Sequence, residues 1–467
     1  MEGCPHLRLE TFDLRERSVD LRLPFRFGVS TVTHATQAVL TVRISLSDGR
    51  SAVGHAAESL LPKWFDKTLT LTDADNMDQL RASVMTALDL YRSAGYGTAF
   101  GLSARLYGEQ HARCAAQGLN HLVASYGPAL VDRAVLDALG RVLGLSFAGM
   151  ITGNLPGITA ELAPDLAGFD LSAFLAGLTP GSSIAVRHTV GLVDAITASD
   201  LVSPRRNDGL PETLEEVARQ YGCRYFKLKV GGDIAADLDR LSRVAAVLDA
   251  QGIAYRSTLD GNEQYEDIEG IAELWRRMGE APAMRNLVAS VLLIEQPIKR
   301  AVALERPLSA FAGRTPVIID ESDDQISAFP RAVALGYSGV SSKNCKGFYK
   351  SILNAARVAQ LNGRADGKAK YLLSAEDLTT WPGICVQQDL ALVSLLGLTH
   401  VERNGHHYID GMSFASDAEQ DAFVAAHPDL YHRAPGAPAR LTIRNGDLTL
   451  GSLTGPGFAV GIAPQEI

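Results

Sequence analysis

The strongest constraint on the fold is a repeating pattern that begins near residue 183 and continues to about residue 410. Short apolar runs bounded by turn residues, such as SIAVRHTVGLV, RYFKLKV and VLLIEQP, alternate with amphipathic segments such as AADLDRLSRVAAVLDAQG. The alternation repeats about seven times, which is the pattern of βα units that build a parallel sheet. Its length and repeat number favour a barrel of the (β/α)8 type over an open sheet.

The residues on either side of this repeat follow other patterns. AVLTVRISLSDGRSAVGHA alternates apolar and polar residues around Asp48-Gly49, which predicts a β-hairpin. PFRFGVSTVTHATQ, just before it, is polar and rich in Thr, and is predicted to be a loop. NMDQLRASVMTALDLYRSA and ALVDRAVLDALGRVLGL have helical spacing, and RLTIRNGDLTLGSL predicts a late hairpin at Asn445-Gly446. The predicted divisions are an α+β domain at 1–150, a linker or insertion at 151–182, the barrel at 183–410, and a C-terminal segment at 411–467 that packs back on the first domain.

Composition excludes several classes of function. Hydrophobic residues make up 46% of the chain and charged residues 21%, as in ordinary globular proteins. The net charge of −9 argues against nucleic-acid binding, for which a basic surface is expected. The five cysteines lack CxxC spacing and are interpreted as free thiols in a reducing compartment. The N-terminal residues contain no signal-peptide core and no run of about 18 apolar residues occurs, so a cytoplasmic protein without contact to membranes is expected.

Charged residues stand at the ends of the apolar runs. In FKLKV (226–230) the two lysines point to the same face, because side chains of a strand alternate with a period of two. In a barrel the active site lies at the C-terminal ends of the strands, so groups at these places are predicted to converge on one cavity. The residues concerned are Lys227, Lys229, Asp260 in LDGN, Glu295 in IEQP, Asp320 in IIDES and Lys343 in SSKNCKG.

The chemistry of this set follows from its charges. Three carboxylates brought together raise one another's pKa unless a cation binds between them. An all-oxygen set suits a hard divalent ion, Mg²⁺ before Mn²⁺. A lysine beside a second lysine and a metal has a lowered pKa, which makes a neutral amine available as a base. The pattern therefore predicts abstraction of a proton next to a carboxylate, with the metal stabilising the resulting enediolate.

The same motifs resemble those of a known family. FKLKVGGD, LDGN, IEQP, IIDES and SSKNCKG, in this order and spacing, resemble the enolase superfamily and, within it, the muconate lactonizing enzyme subgroup. PFRFG with VLTVRISLSDGRSAVGH resembles the capping domain of that family. The resemblance implies a modified TIM barrel of the (β/α)7β type, with an α+β capping domain built from the N-terminal region and the C-terminal segment.

The resemblance also implies roles for the residues at the strand ends. The metal ligands would be Asp260, Glu295 and Asp320, holding Mg²⁺ or Mn²⁺. Lys229 and Lys343 would act as acid and base on opposite faces of the substrate. Lys227 would support Lys229 electrostatically. The mandelate racemase branch would instead have an Asp on the sixth strand and a His on the seventh, so Lys343 places the sequence outside that branch.

Several residues keep a second interpretation. Lys346 is an alternative to Lys343, which is favoured because it lies nearer the apolar strand. Glu376 in YLLSAEDL either meets the substrate or caps the next helix. His188 either contacts the substrate or is a buried structural residue, and Trp64 either lids the cavity or belongs to the core. The dipeptide His406-His407 is predicted to lie at the surface, and Glu321 and Asp323 to be loop or helix-cap charges. The candidate substrate contacts are Phe27, Thr31, Trp64, His188, Asn262 and Glu376.

The expected activity is racemisation or epimerisation of a non-sugar carboxylic acid, because a lysine on each face permits transfer of a proton from one face to the other. Dehydration and cycloisomerisation are the alternatives, since each needs only one basic lysine. A barrel that binds a ligand without catalysis is disfavoured by the complete set of charged residues. The expected partner is a small carboxylate, and the chain is expected to form a homo-oligomer.

Overall fold

A computed structural model of the 467-residue chain describes residues 3–27, 30–201, 204–311, 315–365 and 370–460. The N-terminal domain begins with an antiparallel sheet of three strands, β1 (Leu7–Phe27), β2 (Ser30–Leu46) and β3 (Ser51–Ser59). Of the three long helices that follow, α1 (Asp73–Ser93) and α3 (His121–Leu143) pack on this sheet, and α2 (Ala99–Ala116) packs on α1 and α3. The shorter helices α4 (Phe147–Thr152) and α5 (Leu171–Ala176) lead to the next domain.

The predicted hairpin is confirmed, whereas the predicted loop before it is wrong. β2 and β3 pair from Gln37↔Ser59 to Ser45↔Ser51, and Gly49 has a φ of 92° in the turn between them. The residues of PFRFGVSTVTHATQ that the structure describes belong to β1 and β2, where Phe25 pairs with Val32. The physical reason is that the Thr and Val residues of this stretch favour a pleated strand once a partner strand lies alongside. The first two strands therefore form one long hairpin.

Eight parallel strands form the second domain and close into a barrel. The strand order runs from β4 (Ser183–Val190) to β11 (His400–Arg403), and β11 pairs with β4. This confirms the predicted barrel with an α+β capping domain. The strands are β4 (Ser183–Val190), β5 (Tyr225–Lys229), β6 (Arg256–Asp260), β7 (Val291–Glu295), β8 (Val317–Ile319), β9 (Gly339–Ser342), β10 (Leu372–Ala375) and β11 (His400–Arg403).

Helices follow the strands as a (β/α)7β barrel requires, and the helix that comes directly after β11 has four residues. The helices are α6 (Leu214–Tyr221), α7 (Ile234–Ala250), α8 (Ile268–Glu280), α9 (Arg285–Ser290), α10 (Arg300–Ala303), α11 (Ala328–Ala334), α12 (Phe348–Arg364), α13 (Ile384–Leu395) and α14 (Gly405–Tyr408). Among the described residues no helix is long and apolar enough to cross a membrane. All five cysteines are free thiols.

The C-terminal segment contacts both domains. It contains α15 (Asp417–Ala426), β12 (Tyr431–His432), β13 (Arg440–Leu441) and β14 (Asp447–Thr449). β14 follows the tight turn at Asn445-Gly446 and pairs antiparallel with β4. Further on, Phe458 N donates to Asp137 Oδ1 of α3 at 3.1 Å, and Gly457 O accepts from Phe147 N at 2.7 Å. The end of the described chain is thereby attached to the N-terminal domain.

The sheet and α3 approach each other most closely at Gly54. A Cβ added to Gly54 would lie 2.3 Å from both Ala134 O and Ala138 N, which are backbone atoms of α3. Such atoms can move only if the helix moves away from the sheet. The absence of a side chain at this position therefore sets the distance between the two layers.

Replacing Gly54 by Ala is expected to lower the free energy of unfolding by about 2 kcal/mol, because overpacking a close contact strains the backbone. The midpoint of urea unfolding, followed by circular dichroism, measures the change. Gly108→Ala is the matched control, since Gly108 is an exposed residue of α2 with nothing within 4 Å of an added Cβ. That control is expected to be neutral or stabilising by about 0.5–1 kcal/mol. Equal midpoints for the two variants would contradict the packing argument.

Candidate active site

Charged side chains fill the interior of the barrel, where bulky branched residues are usual. Strand register aligns Lys229 with Asp260 and Asp260 with Glu295, so these three residues form one row across neighbouring strands. All three are buried, and Lys229 is the most exposed at 7%. Asp320 and Lys343 come directly after β8 and β9 and are also buried. The structure thus brings the six residues at the predicted strand ends into one interior.

Two lysines lie on opposite walls, each against its own carboxylate. Lys229 Nζ donates to Asp260 Oδ2 at 2.6 Å, and Lys343 Nζ donates to Asp320 Oδ2 at 2.7 Å. Because β5 and β9 are four strands apart in a closed barrel of eight, the two ammonium groups face each other across the interior. A small molecule between them would present one face to each lysine.

Lys227 lies deeper and is held by four carboxylates. Its Nζ is 2.9 Å from Asp260 Oδ2 and 2.8 Å from an oxygen of each of the other three, Glu295, Glu376 and Glu402. Burial opposes a charge on this lysine, but the four carboxylates together outweigh burial and raise its pKa well above the usual range. Lys227 is therefore held as a cation in this arrangement.

Glu376 belongs to this interior network, so the prediction that it could cap a helix is wrong. Its Oε1 accepts from Arg187 and, at 2.5 Å, from Ser374 Oγ. Burial would raise the pKa of Glu376, but Arg187 first and Lys227 second hold it at about 2. The nearby Glu402, whose Oε1 accepts from Thr189 Oγ1 at 2.7 Å, was missed in the sequence. The signal that could have found it is the run THVER, which ends the eighth strand with a charge.

Lys346 shares Asp320 with Lys343. Its Nζ lies 3.1 Å from Asp320 Oδ1, 2.6 Å from Ser341 Oγ and 3.2 Å from Asp323 Oδ2. Burial would raise the pKa of Asp320, but the lysines around it, Lys343 first, hold it well below its usual range. Lys346 therefore fixes one oxygen of Asp320, whereas Lys343 occupies the other. Asp323 is a buried partner of Lys346 rather than a loop charge.

The donor set fits a hard cation, although lysines stand among the carboxylates. Burial first, and then Asp260 and Glu376, raise the pKa of Glu295 well above its usual range, which marks it as a carboxylate in need of positive charge. Buried oxygens without a hydrogen bond also occur at Asn262 Oδ1 and Glu321 Oε2. Within the described ranges no three His, Cys, Asp or Glu side chains already stand at metal-ligand spacing. A bound cation would thus have to replace lysine contacts at Asp260 and Asp320.

Comparison with known proteins agrees with this geometry. Residues 209–362 match the family model described as "Enolase C-terminal domain-like", and the match includes all six charged residues at the strand ends. Residues 209–362 of the barrel are therefore similar to the C-terminal domain of enolase-like proteins. The resemblance to the enolase superfamily seen in the sequence is thereby confirmed.

Solved structures share the fold of the enolase-like barrel and its cap at low identity. A dipeptide epimerase from Enterococcus faecalis V583, crystallised with Mg and L-Leu-L-Tyr, is 13% identical with a TM-score of 0.62, covering 97% of this chain and 99% of that one. A muconate lactonizing enzyme from Pseudomonas fluorescens is 18% identical with a TM-score of 0.55 and coverages of 98% and 97%. A mandelate racemase/muconate lactonizing protein from Herpetosiphon aurantiacus is 16% identical with a TM-score of 0.59 and coverages of 96% and 97%. No curated protein matches the chain.

A segment of the cap covers the mouth of the enolase-like barrel. The ring of Trp64 lies 4.4 Å from Lys343 Nζ, so Trp64 contacts a candidate catalytic group as well as the core. Lys67 Nζ donates to Asn262 O at 2.9 Å. Asn262 in turn donates its backbone N to Asp260 Oδ1 at 2.9 Å and its Nδ2 to Glu321 Oε1 at 3.2 Å. Trp64 and Asn262 therefore lie at the site, as does the buried Glu321, which the sequence analysis placed among loop or cap charges.

Other candidate substrate contacts lie elsewhere. His188 is next to Arg187 and Thr189, whose side chains face the interior, so its own side chain points outward. Its Nδ1 lies 3.3 Å from His406 Nε2, which excludes a substrate contact within the enolase-like barrel. Thr31 is exposed on the long hairpin, at a groove of about 210 Å³ in the cap. The side chain of Phe27 lies outside the described part of the structure.

Proposed function

We propose that this protein is a Mg²⁺-dependent enzyme that removes the proton alpha to a substrate carboxylate, and that it acts as a racemase or epimerase of a non-sugar carboxylic acid. The observation that carries the proposal is the pair of lysines on opposite walls, Lys229 against Asp260 and Lys343 against Asp320. An enzyme that inverts a carbon centre needs one group to take the proton from one face and another to return a proton to the other face.

The two lysines divide this work. Lys343, which contacts Asp320 on the opposite wall, returns a proton on its own face. Lys229, which contacts Asp260, takes the proton on its own face. The fixed charge of Lys227, below them, supports Lys229 electrostatically, since both ammonium groups contact Asp260 Oδ2.

Asp260, Glu295 and Asp320 are the residues that would hold Mg²⁺. The bound cation would supply the positive charge that stabilises an enediolate, and it would replace the lysine contacts at Asp260 and Asp320. Trp64 and the neighbouring residues of the cap exclude water from the mouth. The apolar Trp64 and Phe65, both buried there, support a substrate without the many hydroxyl groups of a sugar.

Incubation of the full chain with Mg²⁺ and a panel of carboxylic acids in D2O tests the proposal. Exchange of the alpha proton for deuterium, followed by proton NMR, is expected for at least one class of acid and should stop when a chelator removes the metal. Recovery of the exchange after Mg²⁺ is added back is the control, because it shows that the chelator has not damaged the protein. Absence of exchange with every acid in the presence of Mg²⁺ would contradict the proposal and favour a barrel that only binds a ligand.

The contact of Lys343 with Trp64 and Asp320 favours a second candidate function. A lysine that remains a cation can stabilise charge without transferring a proton, and one basic lysine is then enough for dehydration or cycloisomerisation. The same D2O incubation separates the possibilities by its product. Deuterium in an acid of inverted configuration indicates a racemase or epimerase, whereas an unsaturated or cyclic product indicates the alternative.

A further inference from the structure

The outer end of the long hairpin lies on α14, the helix that follows β11 at the mouth of the barrel. The ring of Phe25 stacks on that of Tyr408 with centroids 4.3 Å apart, and Arg22 donates to His407 O at 3.2 Å. Arg22 also pairs with Asp208 through two of its nitrogens, one of them 3.0 Å from Oδ1. These contacts hold the outer end of the hairpin against the barrel domain.

The ladder between β1 and β2 is irregular at the level of these contacts. The two strands pair as far as Asp20↔His34, and pairing resumes at Phe25↔Val32, so residues 21–24 lie opposite a single residue of β2. An irregularity of this kind interrupts the hydrogen bonds between the strands, so the part of the hairpin beyond it can bend away from α14. The hairpin tip is defined here as residues 21–27 and 30–33.

Three buried histidines lie beneath the tip, in β4 and α14. The ring centroid of His188 is 5.0 Å from that of His407 and 5.4 Å from that of His406. His188 Nδ1 and His406 Nε2 are 3.3 Å apart, and such a contact needs one of the two nitrogens to be an unprotonated acceptor. Among the described residues, Nδ1 of His406 and Nδ1 of His407 have no hydrogen-bond partner. A proton added to this cluster would thus be a buried charge without compensation.

The charged groups that face the cluster are themselves positive. The guanidinium groups of Arg22 and Arg403 act on His406, and that of Arg22 acts on His407 as well. Burial first, then His188 and these cations, lower the pKa of both histidines well below the usual range. Burial lowers the pKa of His188 to about 3. The cluster therefore resists protonation as long as the tip covers it.

The other titratable groups at this place titrate outside the range between pH 7.5 and 5.5. Asp208, which faces Arg22, ordinarily titrates at about pH 4, and Arg22 outweighs burial and lowers its pKa further. The ring of Tyr221 lies 5.4 Å from that of His406. A tyrosine ordinarily titrates at about pH 10, and burial raises the pKa of Tyr221. The histidines are therefore the groups whose protonation in this range depends on the position of the tip.

The helix under the tip also holds a loop at the mouth of the barrel. Tyr408 Oη donates to Asp194 Oδ2 at 2.5 Å, and the same oxygen accepts from Gly191 N at 2.7 Å. Gly191 comes directly after β4, whose Thr189 faces the barrel interior. A tip that moves away from Tyr408 therefore uncovers contacts that fix this side of the mouth.

We propose that the hairpin tip is a latch that acid releases: the tip bends away from α14, the histidines beneath it reach water and take up protons, and this uptake favours the open form as the pH falls. An uncovered histidine takes up a proton at about pH 6.5, whereas a covered one resists it, so the open form binds more protons below this pH. The closed form remains the main one at pH 5.5. The latch is independent of the reaction proposed above, because it acts on the cover of the barrel.

Hydrogen exchange of backbone amides in the full chain, followed by mass spectrometry, measures the opening constant of the tip. After correction for intrinsic exchange rates, this constant is expected to rise between pH 7.5 and 5.5 by about 5–10-fold for each histidine that is uncovered. Amides of the buried strand β5 report global unfolding and should be better protected than those of the tip at both pH values. Low concentrations of urea should barely change exchange in the tip, because local opening exposes little surface.

Variants identify the histidines as the cause of the rise. His407→Gln removes one imidazole and is expected to make the rise about 5–10-fold smaller. His34→Gln is the matched control and should keep the wild-type rise, because His34 lies on the hairpin itself but its side chain is 56% exposed with the tip closed. Urea unfolding at pH 7.5 checks that each variant is folded, and the wild-type measurements need no variant. Exchange of the tip that follows that of β5, an opening constant that is the same at both pH values, or a full rise in folded His407→Gln overturns the inference.

Discussion

Replacing Lys229 by Arg is expected to lower the rate of alpha-proton exchange by about 10²–10⁴-fold, the usual contribution of a general base. An Arg side chain keeps the positive charge beside Asp260 but does not lose its proton in proteins, so it cannot accept one from the substrate. Lys229→Met removes both the charge and the base. If the two variants lose exchange to the same extent, the base at this position is what the reaction needs. The measurement is the deuterium exchange rate at saturating Mg²⁺ and substrate.

Lys227→Met is the comparison variant, because it removes a buried positive charge but leaves the proposed base, Lys229, in place. Lys227 touches four carboxylates, and removing a buried partner from such a set costs about 3–5 kcal/mol, so this variant is expected to be unstable as well as inactive. Lys229→Arg is expected to unfold at nearly the wild-type urea concentration. Exchange at the wild-type rate in folded Lys229→Arg would contradict the assignment of the base, and Lys343 would then be the candidate for this role.

The position of the charged set could be predicted because the sequence carries it at regular places. One βα unit separates successive strand ends, and a barrel brings all of these ends to one side. Lys227, Lys229 and Asp260 therefore needed no contact information. The other charged residues of the interior were harder to predict, since Arg187 and Glu402 pair there with residues that are far away in the chain. Only the closure of β11 onto β4 shows that these charges meet.

Features that depend on contacts between the domains were mispredicted. GHHYIDG has the appearance of a surface turn, yet His406 and His407 are only 7% and 3% exposed. The reason is that the long hairpin covers α14: Arg22 donates to His407 O at 3.2 Å across 385 residues, and the ring of Phe25 stacks on Tyr408. No local sequence pattern indicates that a distant part of the chain covers these residues.

Three buried histidines meet under this hairpin, and they give the protein a marked sensitivity to acid. The ring centroid of His188 lies 5.4 Å from that of His406 and 5.0 Å from that of His407. Burial lowers the pKa of His188 to about 3. Burial first, then His188 and the guanidinium of Arg22, lower the pKa of both His406 and His407 well below the usual range. His188 is therefore neutral in the folded protein at pH 5.5, and His406 and His407 bind a proton less readily than an exposed histidine does.

The sign of the pH effect follows from these lowered pKa values. In the unfolded chain a histidine takes up a proton near pH 6.5, whereas these three take up none until much lower pH. The unfolded state thus binds more protons below pH 6.5, and stability falls as the pH falls toward the folded pKa values. His188 alone lowers the free energy of unfolding by about 1.4 kcal/mol between pH 7.5 and 5.5, and His406 and His407 act in the same direction. Glu58 and Asp132 act in the opposite direction, because burial raises the pKa of each to about 7.

A comparison of variants isolates the histidine contribution from that of the carboxyls. His188→Leu removes one titrating group from the cluster and leaves Glu58 and Asp132 unchanged. The loss of unfolding free energy between pH 7.5 and 5.5, measured by urea unfolding, is expected to be about 1.4 kcal/mol smaller in the variant than in the wild type. Above pH 7.5 the plots of unfolding free energy against pH should run parallel for the variant and the wild type, because a histidine is neutral there in both the folded and the unfolded state. Plots of unfolding free energy that stay parallel from pH 7.5 down to 5.5 would show that His188 can take up a proton in the folded protein. That uptake would require the hairpin to move away from α14.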